Sequence, residues 1–455
     1  MEPNGPNAFD NLPDEVIELI FISVLANDLK KMNHRNCVLT KLCLICRRWR
    51  SIAVASATLW SAISVQGRQM QSLAIIRKWL ERSKDCPLEF EIFLDPEDHF
   101  MIRLLKEDLE SVISVFLQQS RRWKGIVLDL PHLPPIDCVL FKDIQAPQLT
   151  SLTISNTPSY GDDSSWNPPH YLSPIIATAF SIERVTWKLL EIDSSTLVNN
   201  LIGTHITDLH LEGRLSIQHC ISLLLRSPLL RNCHLDGVTI GPFSVDINSV
   251  TPFTLPHLHS LFIIGDQDLL SILAHITAPL LGSLSIGAHT YRDSPVPSEL
   301  FKFLAQSSPP LQHLTLDGRQ IQRERIIQCL HLSPHLQTLE IFQKKVHPNY
   351  MALTDELMTA LGTGCSENGV FICPELTKIR FMGNVVTSDG VFSQMVGERR
   401  GGRALANGVA SLVYVQVEFG ANSTGHSADV ERLVNMRPEG LVARVYVGSG
   451  DTESD

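Results

Sequence analysis

The residues that follow Leu12-Pro13 are apolar on nearly every side of a predicted helix. In the stretch LPDEVIELIFISVL, only Glu18 and Ser23 interrupt the apolar run that begins after Glu15. Proline suits the first turn of a helix, and acidic residues beside it favour the positive end of the helix dipole. A surface helix has one apolar stripe, so a helix without a polar face needs cover on two sides. The pattern predicts that either a partner protein or the rest of the chain supplies the second cover.

A second apolar period follows a polar stretch. Apolar side chains recur every three or four residues, which predicts one face of a single second helix. The basic residues of this stretch fall largely off that face, so we expect them to be solvated or to face a partner. Trp60, in the short segment SATLWSAISV, is a further large anchor. The positions on the apolar face are Val38, Leu42, Ile45, Trp49 and Ile52.

Much of the remaining chain repeats a degenerate unit, roughly Ser/Ala-Pro-x-Leu-x-x-Leu-x-Leu. APQLTSLTI and SPHLQTLEI are two of seven clear copies, and two weaker copies fill an early gap. Leu-x-Leu predicts a short strand, and apolar segments between the copies have helical spacing. The proline suits a turn from helix to strand. Most intervals are 23 to 33 residues and the last is 40; the first apolar positions are Leu149, Ile182, Ile206, Leu230, Leu258, Leu281, Leu311, Leu336 and Leu376.

Strand followed by helix, repeated at this period, predicts an α/β fold of the leucine-rich-repeat kind. No single unit can bury its own apolar face, so the units are expected to stack into a curved solenoid with a parallel sheet and outer helices. Ordinary doubly wound α/β domains also alternate strands and helices, but they seldom repeat one turn sequence seven times. The predicted class is therefore a small all-helical N-terminal segment followed by this solenoid. The strand-rich stretches SLVYVQVEF and LVARVYVGS depart from the repeat and are predicted to form a terminal cap.

Composition narrows the possible functions. The 455 residues carry a net charge of −10, whereas nucleic-acid-binding proteins generally have a basic excess, so we expect no nucleic-acid partner. No apolar run approaches 18 residues, so no membrane span is expected. The opening MEPNGPNAFDNLPDE does not resemble a secretory signal, and the ten scattered cysteines are expected to be free thiols. These features predict a cytoplasmic or nuclear protein.

Reaction motifs are absent from the sequence. There is no G-x-S-x-G, H-E-x-x-H, Walker loop or G-x-G-x-x-G, so we expect no catalytic residues, no cofactor and no enzyme activity. His34, Cys37, Cys43 and Cys46 offer four zinc ligands, but a helix places no second pair opposite the two later cysteines. No metal site is therefore expected, and these cysteines are interpreted as packing residues. The arginines beside Trp49 are interpreted as a solvated face rather than a nucleic-acid patch.

The order and spacing of several short motifs resemble an F-box. Leu12-Pro13-x-Glu15-Val16, Ile20-Phe21 and Leu25 are followed by Cys46-Arg47-x-Trp49 and Leu59-Trp60. The run CRRWRSIA and the later WLERS and CPL are similar to the expanded F-box family of mushroom-forming fungi. The strong similarity covers roughly residues 10–65, and a weaker one reaches about residue 130. The stretch between Leu25 and Cys46 is about nine residues longer than in the common family pattern.

The resemblance implies a non-catalytic substrate receptor of an SCF-type ubiquitin ligase. The F-box would bind a Skp-type adaptor and, through it, a cullin-RING ligase, while the repeats would bind an unknown target protein. An alternative is an F-box and leucine-rich scaffold that acts outside ubiquitination. Apolar and aromatic anchors usually carry most of the affinity of an interface. The expected adaptor-binding residues are Leu12, Pro13, Glu15, Val16, Ile20, Phe21, Leu25, Leu42, Cys46, Trp49 and Trp60.

If the solenoid is correct, the target is expected on its concave sheet, at the outward positions of the strands. That surface is polar with an acidic tilt, so a basic or hydroxyl-rich target is expected. The candidate target-binding residues are Asp208, His210, Glu212, Asn232, His234, Asp236, His313, Thr315, Asp317, Thr338 and Glu340. The predicted organisation is a disordered N-terminus at 1–10, an F-box at 11–64, a connecting αβ segment at 65–125, the solenoid at 126–447 and a disordered acidic tail at 448–455.

Overall fold

The structure is a computed structural model in which the chain divides into two compact units, residues 1–213 and 214–455. It describes residues 11–27, 35–66, 72–93, 106–129, 144–155, 179–191, 205–239, 251–265, 270–288, 299–318, 323–343, 353–363, 371–385, 387–420 and 425–447. The predicted disordered segments at 1–10 and 448–455 lie outside these residues.

The sequence predicts two helices at the start of the first unit, but the structure has three. They are α1 (Asp14–Asn27), α2 (Arg35–Ile45) and α3 (Arg47–Ala55), and a short 3-10 turn covers Ala57–Trp60. Cys46 has an extended backbone, with φ −154° and ψ 169°, and its Sγ accepts a hydrogen bond from the Trp49 backbone N at 3.4 Å. The prediction of one continuous second helix is therefore wrong, because Cys46 caps α3 and leaves Ile45 exposed at the end of α2.

Parallel strands follow directly after these helices. The order of neighbours in the first unit is the chain order, and the described pairs from β1 to β5 are parallel. The sheet thus begins at Ala62, well before the predicted start of the solenoid at residue 126. The elements are β1 (Ala62–Gln66), α4 (Leu73–Arg82), β2 (Leu88–Phe93), α5 (Lys106–Leu117), β3 (Trp123–Asp129), β4 (Ser151–Ser155), β5 (Arg184–Glu191) and β6 (Asp208–Ser216), which contains the division between the units.

The second unit continues the alternation of strands and helices. Its elements are α6 (Ile217–Arg226), β7 (Asn232–Thr239), β8 (Phe253–Thr254), β9 (Ser260–Gly265), α7 (Leu270–Leu273), β10 (Ile276–Thr277), β11 (Ser283–Ala288), α8 (Glu299–Ser307), β12 (His313–Asp317), α9 (Arg323–His331), β13 (Thr338–Gln343), α10 (Asp355–Thr363), β14 (Lys378–Val385), α11 (Val391–Arg400), α12 (Gly402–Ala406), β15 (Tyr414–Phe419), α13 (Ser427–Asn435) and β16 (Val442–Val447). The main strands pair in parallel in the order β7-β9-β11-β12-β13-β14-β15-β16, and β8 pairs separately with β10.

The repeated sequence unit sets the start of each strand. All nine first apolar positions are buried, and in each case a strand begins two residues later, as β9 does after Leu258 and β13 after Leu336. The Ser/Ala-Pro pair forms a tight turn, because the leucine N donates to the carbonyl three residues earlier, as Leu336 does to Ser333 at 3.2 Å. Proline fits the second position of such a turn since its φ is already fixed near the required value.

The core of the second unit lies on the inner face of its sheet. In β13 Leu339 and Ile341 are fully buried, while Glu340 between them is only partly covered. The Phe392 ring of α11 packs edge-on against Phe381 of β14 and Phe419 of β15, each at 6.0 Å between ring centroids. Helices cover this face because each strand's apolar side needs an apolar partner. The predicted class, a helical N-terminal segment followed by repeated parallel α/β units, is confirmed.

The predicted terminal cap is only partly separate from the repeat. β15 lies between β14 and β16 in the sheet and pairs with both in parallel. Leu412 is fully buried and precedes β15 by two residues, which is the spacing found in the other units. The prediction that SLVYVQVEF departs from the repeat is therefore wrong: this stretch lacks the proline but keeps the buried leucine. β16 is the last strand in the order.

The described cysteines are free thiols, in agreement with the sequence prediction. Burial raises the pKa of Cys220, Cys329 and Cys373 to about 12, and it also raises the pKa of Cys233. Only the thiolate reacts with alkylating reagents. We expect brief iodoacetamide treatment of the native protein to modify exposed Cys46 and to spare these four, as assigned by peptide mass mapping. Rapid modification of Cys233 in the folded chain would contradict this burial.

Among the described residues no helix is both long and apolar enough to cross a membrane.

Candidate functional site

Helix α1 has two apolar faces with different environments. Ile17, Phe21 and Leu25 recur every four residues and are each only 1% exposed. Val16 and Leu19 lie on the opposite side of the helix and are 38% and 64% exposed. Val24 lies two turns after Ile17, at the edge of the buried stripe, and is 46% exposed. The helical period of 3.6 residues separates Val16 and Leu19 from the buried stripe. We call Val16, Leu19, Val24 and the half-buried Ile20 the open face of α1.

The buried face of α1 belongs to the core of the first helices. Phe21 meets Trp49 of α3 edge-on, with 5.0 Å between ring centroids. Leu39 of α2 and Ile52 of α3 are buried in the same cluster. Trp60 closes it, and its indole Nε1 donates to the Ala53 carbonyl at 2.7 Å. These contacts orient α1 so that its other side faces outward.

Polar contacts also fix α1 to α3. The Arg48 guanidinium donates to the Asp14 carboxylate from Nε at 2.9 Å and from Nη2 at 2.7 Å, and Nη2 also donates to the Leu12 carbonyl. The Ser56 hydroxyl donates to the Glu18 carboxylate. A two-nitrogen contact from arginine to a carboxylate restrains orientation as well as distance. Arg48 was predicted to be solvated or partner-facing, and the structure instead uses it to hold the start of α1.

Further apolar side chains are exposed in the same segment. Leu44 is 67% exposed and Ile45 58% exposed at the end of α2, and Val54 of α3 is 37% exposed. Large apolar residues exposed singly are ordinary, but several within one short segment are typical of a binding surface. The segment therefore stabilises itself with one set of apolar residues and presents a second set to solvent.

The predicted adaptor-binding residues fall into three groups. Phe21, Leu25 and Trp60 are buried in the core of the segment, so their prediction as contact residues is corrected: they support the surface rather than form it. Leu12, Ile20, Leu42 and Trp49 are partly covered. Pro13, Glu15, Val16 and Cys46 are exposed.

The sequence prediction missed Leu19, Val24, Leu44 and Ile45 as exposed residues. The period of α1 places Leu19 opposite the Ile17, Phe21 and Leu25 stripe, but it does not tell which of the two sides is buried. Val24 follows Ile17 by two helical turns, so the period carries no signal for its exposure. The exposure of Ile45 depends on the break at Cys46, and the assumption of one continuous helix concealed it.

The two described cysteines of the possible zinc set have structural roles. The Cys46 thiol caps α3, and the Cys43 side chain is partly covered beside the core cluster. Burial raises the pKa of Cys43, which disfavours the thiolate that zinc requires. His34 and the Cys37 side chain lie outside the described residues.

The predicted target-binding residues divide between the two units. Asp208, His210 and Glu212 belong to β6 in the first unit. In the second unit, register places the others in rows across the strands. Asn232, His313 and Thr338 share one row, and His234, Thr315 and Glu340 share the next, each through intervening residues of β9 and β11. Asp236 and Asp317 lie further along their strands, and Asp317 is only 7% exposed.

Neighbouring strands reduce the acidic tilt that the sequence predicted for this surface. Lys188 of β5 lies 3.1 Å from the Glu212 carboxylate, and Arg380 of β14 lies 3.8 Å from Glu340. The His234 ring stacks on Phe262 at 3.9 Å between centroids. The expected acidic surface is thus corrected to one of mixed charge, because the pairing cations come from strands that the prediction did not include.

Asp389, His426 and Asp429 place one ligand atom each within 4.8 Å of one another. Asp429 accepts hydrogen bonds from the backbone N of Gly390 and Ser393 at the start of α11, at 3.0 and 2.7 Å. Asp389 accepts from Ala428 N at the start of α13, at 3.1 Å. His426 Nδ1 lies 2.8 Å from Asp429 Oδ2, and its ring stacks on Phe419. The two carboxylates therefore cap two helices reciprocally.

Since the lone pairs of this cluster are used by helix N–H groups, we expect metal removal to have no effect on stability. Dialysis against EDTA should leave the thermal midpoint of the full chain unchanged, and added Zn²⁺ or Ca²⁺ should not raise it. A midpoint that rises with either ion by several degrees would show that the cluster binds a cation in preference to capping the helices.

The first helices lie within a region that a family model matches. Residues 9–66 match the family model described as F-box-like. No curated protein matches the chain. One chain of the crystal structure of the yeast Rad7 and Elc1 complex is similar at 16% identity, covering 94% of this chain and 92% of that chain, with a TM-score of 0.42. The match to the family model shows that the protein carries an F-box-like segment over residues 9–66.

Proposed function

We propose that this protein is a non-catalytic substrate-recognition subunit of an SCF-type, cullin-RING ubiquitin ligase. Its F-box-like segment would bind a Skp-type adaptor, and its repeats would bind the target protein. The observation that carries the proposal is the division of α1 into a buried face and the open face, within a segment that matches the F-box-like model.

The open face of α1 suits association with another protein. Burial of apolar surface yields roughly 25 cal/mol per Å², so Val16, Leu19 and Val24 can contribute several kcal/mol when covered. The supporting helices hold these side chains in place before binding, which lowers the entropy lost on association. Exposed Leu44 and Ile45 at the end of α2 are further candidate contacts in the same segment.

The repeats suit recognition of a target. Their outward strand positions offer polar side chains at regular spacing, 4.8 Å or so between neighbouring strands. We retain Asp208, His210, Glu212, Asn232, His234, Asp236, His313, Thr315, Thr338 and Glu340 as proposed target contacts. Buried Asp317 is the weakest candidate of the predicted set. We further propose that the repeats are of an irregular leucine-rich type, as in the F-box proteins of mushroom-forming fungi, and that the protein acts in the cytoplasm or nucleus.

The proposal is tested by stepwise assembly. The purified full chain is mixed with a Skp-type adaptor, and a stable complex is expected in size-exclusion chromatography. Addition of a cullin and a RING subunit should then give one larger species. If the wild-type chain does not bind the adaptor, the proposal is wrong. Assembly with the adaptor, without faster turnover of any bound target in cells, would instead favour the scaffold that acts outside ubiquitination.

A further inference from the structure

Three cations and two tyrosines lie on the outward face of the last three strands. Register places Lys378 beside Tyr414 and Val442 in one row, and Arg380 beside Gln416 and Arg444 in the next. Cations and tyrosines therefore cluster on a chain whose net charge is −10. Tyrosine and arginine are enriched among the residues that dominate binding affinity at protein interfaces. We call Lys378, Arg380, Tyr414, Arg444 and Tyr446 the basic face.

The cations of the basic face are incompletely neutralised by the described part of the chain. Lys378 and Arg444 are exposed and make no ion pair with a described carboxylate. Arg380 has only Glu340, at 3.8 Å, which is beyond hydrogen-bond distance, and its Nε has no hydrogen-bond partner there. The Glu418 carboxylate accepts a hydrogen bond from the Gly383 backbone N at 3.0 Å and makes no ion pair with these cations, so it offsets their charge only through space.

Aromatic rings hold the two guanidinium groups in place. The Arg444 guanidinium carbon lies 5.9 Å from the centre of the Tyr414 ring, and that of Arg380 lies 5.6 Å from the Phe342 ring. The Tyr414 hydroxyl donates to Gln416 at 2.7 Å. Stacking of arginine on an aromatic ring leaves the edge of the guanidinium plane open, and that edge binds carboxylates with two parallel hydrogen bonds.

The spacing of the cations fits an extended chain. Lys378 and Arg380 are two residues apart on one strand, so their backbone positions are about 6.6 Å apart. Arg444 lies two strands from Arg380 in the same row, about 9.6 Å away. Side chains on one side of an extended peptide also recur every two residues, so carboxylates in a Glu-x-Glu pattern have the spacing of the first pair. Exposed Val442 and Tyr446 offer apolar contacts beside them.

We propose that the basic face binds an extended acidic segment of a target protein. This inference rests on the proposed function, because it identifies the acidic segment as part of the target protein. An acidic target takes the place of the basic target that the sequence predicted. The proposal is supported by charge complementarity between the cations and an acidic segment. Because these contacts are partly exposed to solvent, binding should weaken as ionic strength rises.

The test uses the full chain and a fluorescein-labelled peptide of alternating Glu and Ser, with fluorescence anisotropy as readout. Saturable binding is expected, and the triple variant Lys378→Gln/Arg380→Gln/Arg444→Gln should bind about tenfold more weakly. The matched control, Arg77→Gln/Lys78→Gln/Arg403→Gln, removes the same charge from exposed helix positions and should bind as the wild type does. Far-UV circular dichroism of all three proteins verifies that they are folded.

Three outcomes would overturn the proposal: no saturable binding by the wild type, an equal loss in the two triple variants, or tighter binding of an alternating Lys and Ser peptide. Tighter binding of the Lys and Ser peptide would instead support the basic target that the sequence predicted. None of these outcomes depends on the adaptor, and the triple variant should still bind a Skp-type adaptor normally. Failure of this inference is therefore distinguishable from failure of the proposed function.

Discussion

Replacing Leu19 by Asp is expected to reduce adaptor binding at least about 100-fold, with little change in the stability of the chain. Leu19, at 64%, is the most exposed of the large apolar side chains described on α1, so the folded protein alone loses little when it is changed. In a complex the new carboxylate would be buried in an apolar contact without a partner, which costs several kcal/mol. Isothermal titration of the full chain with a Skp-type adaptor measures the effect.

Two further variants separate loss of contact from loss of fold. Leu225→Asp makes the same change on α6, where Leu225 is 53% exposed, and should leave adaptor binding unchanged. Phe21→Ala should weaken binding by a different route, because removing a ring from the core costs about 3–5 kcal/mol of stability. If Leu19→Asp binds as tightly as the wild type while remaining folded, the open face of α1 is not the adaptor contact.

Replacing Arg399 by Met is expected to destabilise the second unit by about 3–5 kcal/mol. Arg399 of α11 is fully buried. Its Nη1 donates to the carbonyls of Leu361 and Ile372, each at 3.0 Å, and its Nη2 donates to the Cys373 carbonyl at 2.7 Å. Burial lowers the pKa of Arg399 to about 10, so the group remains charged at neutral pH. Methionine fills much of the volume but removes three hydrogen bonds to buried carbonyls, although the Cys373 carbonyl keeps the Leu376 backbone N as a donor at 3.1 Å.

The location of Arg399 increases this expected cost. Cys373 has φ 48°, a left-handed conformation that is unfavourable for residues other than glycine, at the turn before β14. The arginine therefore links the end of α10 to the turn that places the next strand. Arg399→Lys should be intermediate, because an ammonium group carries the charge but cannot match the spread of the guanidinium N–H groups.

Urea unfolding followed by two probes measures this prediction. All six tryptophans lie before residue 188, so tryptophan emission reports the first unit and far-UV circular dichroism reports both. We expect the Arg399→Met transition to move to lower urea in circular dichroism more than in emission. Arg403→Met, an exposed neighbour on α12, serves as the control and should change stability by less than about 0.5 kcal/mol. A shift for Arg399→Met as small as that of the control would contradict the proposed structural role.

The sequence by itself determined the class of the fold and the start of most strands. It could do so because the information is local: each buried leucine and the turn before it lie within a few residues of the strand they set. The sequence also indicated that α1 needs cover on two sides, because periodicity alone shows that this helix has no polar face. The F-box-like segment was recognisable for the same reason, as short motifs in a fixed order.

Only the tertiary structure decided which side of α1 remains open. Phe21 and Leu19 are equally apolar in the sequence, and the contact of Phe21 with Trp49, 28 residues later in the chain, is what separates them. The break at Cys46 depends on a side-chain cap, which the apolar period does not encode. The tertiary structure also decided the charge of the sheet surface. Glu340 and Arg380 are forty residues apart in sequence, and only strand register brings them into one row. Periodicity fixes what lies along a single element, whereas pairing between elements depends on how the chain packs.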